Sequence, residues 1–113
     1  VAVLGQVETL APILHRACLA IAPQLAGSGQ SIKLIDYAAH GLVTVTTTAG
    51  AAGYDEDGDR PFVLADEAGD FAAAVASLAE SDGSAREAAA LSYAARFEAG
   101  TLLRPLFEAI EAA

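Results

Sequence analysis

What limits this chain most is an alternation. Short apolar or β-branched runs at residues 1–5, 18–23, 42–46 and 61–64 each end at glycine, proline or a polar turn; stretches of helical periodicity separate the first three, and loops of small and acidic residues precede the fourth. Apolar runs this short read as strands buried on both faces. Between the first two, Thr9 is placed to cap a short helix carrying Leu10, Ile13 and Leu14, with Pro12 tolerated in its first turn. Ile32, Ile35 and Ala39 recur at helical spacing until Gly41 stops the turn. Asp66 is placed to cap a helix with Phe71, Val75 and Leu78 on one face. Ser84 and Glu87 make a capping-box pair for the next helix, which Gly100 ends, and Leu102, Leu103, Leu106, Phe107 and Ile110 give the tail a packed amphipathic helix. The pattern predicts an α/β domain with a parallel, doubly wound sheet of about four strands and helices on both faces.

A length of 113 residues suits one domain with a core of its own. Its 54% hydrophobic share overstates that core, because 28 of those residues are alanine. Helices packed closely through small side chains are the natural outcome. The net charge of -9 speaks against a phosphate-backbone partner, which needs clustered Lys and Arg, so no nucleic acid is expected. The acid is unevenly spread. Residues 1–54 hold Glu8 and Asp36 against Arg16 and Lys33 and are formally neutral, so only this half would tolerate an anionic ligand.

No apolar run approaches the roughly 20 residues of a transmembrane helix. The single cysteine, Cys18, falls in an apolar run and reads as a small buried hydrophobe, which fits a reducing cytoplasm. His15 and Arg16 with Cys18 nearby fall short of the three or four ligands that zinc requires. The acidic run Asp55, Glu56, Asp57 and Asp59 reads as a solvated loop, since it lacks the bidentate acid that completes a calcium loop. Neither a metal nor another cofactor is expected.

Chemistry concentrates between residues 22 and 50. Gly27, Ser28 and Gly29 follow a strand and open a helix through Gln30, Ser31, Ile32 and Lys33. Glycines let the backbone approach a ligand, and amides at a helix start, carrying its partial positive charge, favour phosphate. A diphosphate would fit against residues 29–32, with Lys33 beside it. Asp36, further along the helix, is placed to accept hydrogen bonds from ribose hydroxyls. A second loop of small residues, with Thr48 and Gly50, follows the third strand and suits a place beside the same ligand.

This segment, with the opening Val3, Leu4, Gly5, Gln6, Val7 and Leu10 and the later Phe71, Ala72, Ala73, Ala74, Val75 and Leu78, resembles the retaining group 1 glycosyltransferases of the GT-B fold. The likeness is to their carboxyl-terminal, donor-binding domain, and it implies one Rossmann-like half of GT-B. It also implies a nucleoside diphosphate sugar as substrate, UDP- or GDP-linked, in polysaccharide biosynthesis. The diphosphate would lie on residues 29–32 and the ribose on Asp36. The family commonly carries two glutamates, and here Ser28 and Asp36 stand in their places. On this reading residues 1–113 are a piece of a longer protein whose amino-terminal acceptor domain is missing, and the piece alone is inactive. Two other readings stay open: a sugar-nucleotide epimerase or phosphorylase of the same fold, and a non-catalytic parallel-sheet interaction module.

Overall fold

The computed structural model describes residues 1–27, 29–54 and 60–112. Along them run α1 (Ala11–Arg16), β1 (Ala20–Ala22), α2 (Ile32–Ala39), β2 (Thr44–Thr46), β3 (Phe62–Leu64), α3 (Ala68–Glu80), α4 (Ser84–Ala95) and α5 (Ala99–Ala112). The three strands form one parallel sheet in the order β1-β2-β3. Ala20, Thr44 and Phe62 lie in one row, and Ala22, Thr46 and Leu64 in the row two residues on. Alternation along a strand puts both rows on one face and Ile21, Val45 and Val63 on the other.

Both faces carry helices. On the first, Ala22 and Phe62 join Leu34 of α2, Tyr93 of α4, and Ala51 and Tyr54 of the β2–β3 connection in the main core cluster. Ala38 of α2 meets Ala90 and Ala94 of α4, so the alanine-rich helices do approach through small side chains. On the second face, Val45 is fully buried and α3 packs against β2. The aromatic rings of Tyr54, Phe62, Tyr93 and Phe97 tie the β2–β3 connection to α4 through edge and tilted contacts of 5.3 to 5.7 Å. Such ring pairs add stabilisation beyond the area they bury.

The end of α2 follows the glycine rule. Gly41 sits at φ +79°, its amide donates to Ala38 O at 2.9 Å, and Leu42 N donates to Tyr37 O at 3.0 Å. This is a Schellman ending, which closes the helix by satisfying its last carbonyls. Glu87 of α4 lies over the same glycine, so a Cβ there would come within 2.6 Å of Glu87 Cγ.

Several expectations need correction. Residues 1–5 form no strand: Val1, Val3 and Leu4 are exposed and pair with no described strand, and a strand exists only where a neighbour takes up its amides and carbonyls. The sheet therefore has three strands rather than four. Cys18 precedes β1 and is exposed rather than buried. The buried stripe of α2 is Leu34 and Ala38, whereas Ile32 is 75% exposed. Leu10, not Thr9, stands at the N-cap of α1, with no side-chain cap. Glu67 holds that place in α3, and the Asp66 carboxylate bonds elsewhere. Gly83 precedes α4, so Ser84 lies inside the helix, where its amide donates to Asp82 Oδ1 at 3.1 Å. α4 stops at Ala95, and Gly100 lies in the first turn of α5. α5 forms as a helix but is not packed: it has no buried residue, and Leu102, Leu103, Leu106, Phe107 and Ile110 are all 42% to 62% exposed. The acidic run over residues 55–59 lies outside the described residues.

One buried hydroxyl is out of place. Thr44 is fully buried in the central strand, and its Oγ1 has no described hydrogen-bond partner. Leaving such a group unpaired costs roughly 1–3 kcal/mol, and valine has nearly the same shape. Thr44→Val should therefore raise the unfolding free energy by about 1 kcal/mol, read from the denaturant midpoint at unchanged slope. A loss of stability would mean that the hydroxyl is engaged after all.

Candidate functional site

Parallel sheets collect ligands at the carboxyl ends of their strands, and here three loops gather at that end. The first leaves β1 and runs to α2, the second leaves β2, and the third joins β3 to α3. Threonines of the second loop stitch it to the first. Thr46 Oγ1 donates to Ala22 O at 2.8 Å, Thr47 Oγ1 donates to Gln24 O, and Gly50 N donates to Thr47 Oγ1 at 3.0 Å. A Cβ on Gly50 would fall 2.1 Å from Thr46 Oγ1 and 3.5 Å from Ala22 O. Gly50 is thus glycine because the Thr46 hydroxyl, held on Ala22 O, occupies the place a Cβ would take, a packing role the sequence does not disclose.

Gly29 sits at φ +81° with open space where a Cβ would be, so its backbone conformation alone calls for glycine. Ser31 stands at the N-cap of α2 in an extended conformation, without a side-chain cap. The amides of Gly29, Gln30, Ser31, Ile32 and Lys33 donate to no described acceptor. The first turn of a helix normally finds partners for these groups. Here the turn is exposed, with only Ser31 half buried.

The side chains of this stretch divide. Gln30 Nε2 donates to Gly53 O at 2.8 Å, which anchors the turn to the second loop. Lys33 and Asp36 are both exposed and form no ion pair with each other, which leaves both able to meet a ligand. Asp36 lies one turn beyond Ile32, about 6 Å along the helix axis, and both face solvent. Gly27 is exposed beside Gln24, and Ser28 lies outside the described residues.

Thr48 is differently placed from the expectation of a ligand contact. Its amide donates to Asp66 Oδ1 at 2.8 Å and its hydroxyl to Oδ2 at 2.7 Å, so both donors are occupied by the third loop. Those two bonds, the hydroxyl's first and the amide's second, hold the Asp66 carboxyl below the usual carboxylate range. Tyr54 is the residue that sequence reasoning missed. Its hydroxyl donates to Ser31 O at 2.5 Å, and burial, then the nearby Tyr93 and Asp36, push that hydroxyl's pKa up. No short-range signal marks it, because Tyr54 and Ser31 are 23 positions apart.

Away from this end, a cavity of about 550 Å³ lies at the amino ends of β1 and β2, lined by Leu14, His15, Cys18, His40 and Glu87 among others. It touches none of the candidate residues. Among the described residues no three His, Cys, Asp or Glu side chains converge as metal ligands, and no helix is long and apolar enough to cross a membrane.

The family model for group 1 glycosyl transferases matches residues 1–81, which cover the whole sheet, both glycine loops and α2. The chain belongs to the group 1 glycosyl transferases. No curated protein and no solved structure matches it. Membership fits a Rossmann-like half of the GT-B fold, with three parallel strands flanked by helices, and assigns the chain to glycosyl transfer. The family match ends within a residue of the last turn of α3, so α4 and α5 lie beyond it, although α4 supplies Tyr93 to the core.

The Thr48–Asp66 tie gives a direct test. A group with a lowered folded pKa stabilises the fold above its ordinary value and loses that contribution as pH falls through the lowered one. An NMR titration should find the Asp66 midpoint below the ordinary aspartate value. In Thr48→Val, which keeps only the amide bond, the midpoint should rise part of the way back. A midpoint that ignores the substitution would rule out the hydroxyl as the main cause.

Proposed function

We propose that this chain is the donor-binding half of a glycosyltransferase that moves a hexose from a nucleoside diphosphate sugar to an acceptor. The observation that carries the proposal is the start of α2: an exposed helix N-terminus without a side-chain cap, reached through a left-handed glycine, with a run of amides that donate to nothing described. Diphosphate oxygens would serve as acceptors for those amides, and the partial positive charge at the helix start favours them. Lys33 adds a full charge on the same turn, and Asp36 accepts from the ribose hydroxyls. The formal neutrality of residues 1–54 supports an anion here and not in the acidic second half.

The chemistry asked of this half is placement. During transfer, negative charge grows on the departing diphosphate, and amides already aimed at it stabilise that charge without having to reorganise. No side chain in the site is assigned as a general base, and no metal is required by this scheme. The site opens to solvent on a face that an amino-terminal acceptor domain of the same protein would close. Residues 1–113 by themselves then bind nucleotide weakly and turn nothing over. The lone cysteine suits a cytoplasmic setting for the whole protein.

Calorimetric titration of the chain with UDP, GDP and ADP tests the reading. At least one should bind, and Gly29→Val and Asp36→Ala should each weaken it about tenfold or more, a loss of about 1.4 kcal/mol. Val is strained at the positive φ of Gly29, and Ala removes the ribose acceptor. Flat titrations for all three nucleotides would favour a non-catalytic interaction module. An isomerised donor, or phosphate-dependent glycan breakdown by the complete protein, would assign the fold to an epimerase or a phosphorylase.

A further inference from the structure

We infer that Tyr54 is a positioning residue for the diphosphate seat, acting through the Ser31–Ile32 peptide group. This rests on the nucleotide reading and adds to it a residue outside the glycine turn. The Tyr54 hydroxyl donates to Ser31 O at 2.5 Å, and Leu34 N donates to the same oxygen at 3.3 Å. Ser31 O and Ile32 N–H belong to one planar trans peptide, so they point in opposite directions and turn together. Fixing the carbonyl from the core side therefore fixes the direction in which the Ile32 amide faces outward. A donor on the carbonyl also polarises the peptide and makes its N–H the better donor.

The strut has a rigid base. Tyr54 is 6% exposed and its ring packs edge-on against Phe62 at 5.3 Å and Phe97 at 5.7 Å. Its raised pKa keeps the phenol protonated, and so a donor, through the ordinary pH range. Two more ties run beside it, from Thr47 Oγ1 to Gln24 O and from Gln30 Nε2 to Gly53 O. Gly53 sits at φ +87°, and a Cβ on it would come within 3.2 Å of Gln30 Cγ. The second loop thus braces the first at three points, but only Tyr54 reaches the peptide whose amide opens α2. Without the hydroxyl, the carbonyl keeps only the longer bond from Leu34 N, so the peptide tilts more readily and a nucleotide has to order it on binding.

Tyr54→Phe deletes the hydroxyl and keeps the ring, with near-ultraviolet circular dichroism as the check that the aromatic packing survives. The affinity for the nucleoside diphosphate that binds the parent chain should fall about three- to tenfold. In the nucleotide-free protein, the ¹⁵N order parameter of the Ile32 amide should drop and its chemical shift should move. Melting alone does not report this, because a purely structural tyrosine would shift stability without loosening that one amide. An Ile32 amide with unchanged order and shift overturns the inference, whatever the nucleotide does. A loosened amide in a chain that binds no nucleotide supports the strut and sinks the nucleotide reading, so the two failures are told apart.

Discussion

The structure depends on a central strand that is closed on every side. β2 is paired along both edges, and Thr44, Val45 and Thr46 are all fully buried. With only three residues per strand, pairing alone is a small source of stability, so the sheet relies on the helices laid over it. On one face, Leu34 and Tyr93 of α2 and α4 close over Ala22 and Phe62, and on the other α3 packs against β2. The strand then hands its order to the loop that follows. Thr46 and Thr47 carry side-chain bonds from the end of β2 to the end of β1, and the loop after β2 is held as an extension of the sheet.

That ordered loop is what separates the candidate site from an ordinary helix start. Amides at α2 that donate to no described acceptor would be of little use on a turn that wandered, because each would have to be aligned at the moment of binding. Here Gln30, Ser31 and Gln24 are each held by a partner from the second loop. The third loop fastens the second in turn, through the two bonds from Thr48 to Asp66. Three strand ends thus share one network, with the exposed face of the glycine turn as its outer edge. The cavity at the opposite end of the sheet has no part in this network.

How much of this was legible depends on the range of the interaction. Three of the four strand runs, the presence of each helix and the stop at Gly41 rest on contacts between near neighbours, and these appear as the sequence implies. The caps were misread at Thr9, Asp66 and Ser84. Several polar residues cluster at each helix start, and local chemistry does not say which one the tertiary fold draws away. Asp66 shows the reason: its carboxylate finds two donors on Thr48, 18 positions back, and leaves the helix start to Glu67. The opening run 1–5 has strand composition but no described neighbour to pair with, and α5 has an apolar face but no buried residue.

The sequence by itself determined the strand and helix segments, the concentration of acid in the second half, and the glycine turn that opens α2. These rest on side-chain period, composition and allowed backbone angles, which a residue carries wherever it goes. Only the tertiary structure decided that three strands pair and that Thr48 is spent on Asp66. It alone brought Tyr54 beneath Ser31. Each of these joins groups 18 or more positions apart, and their meeting depends on how helices and sheet close around β2 rather than on any local preference.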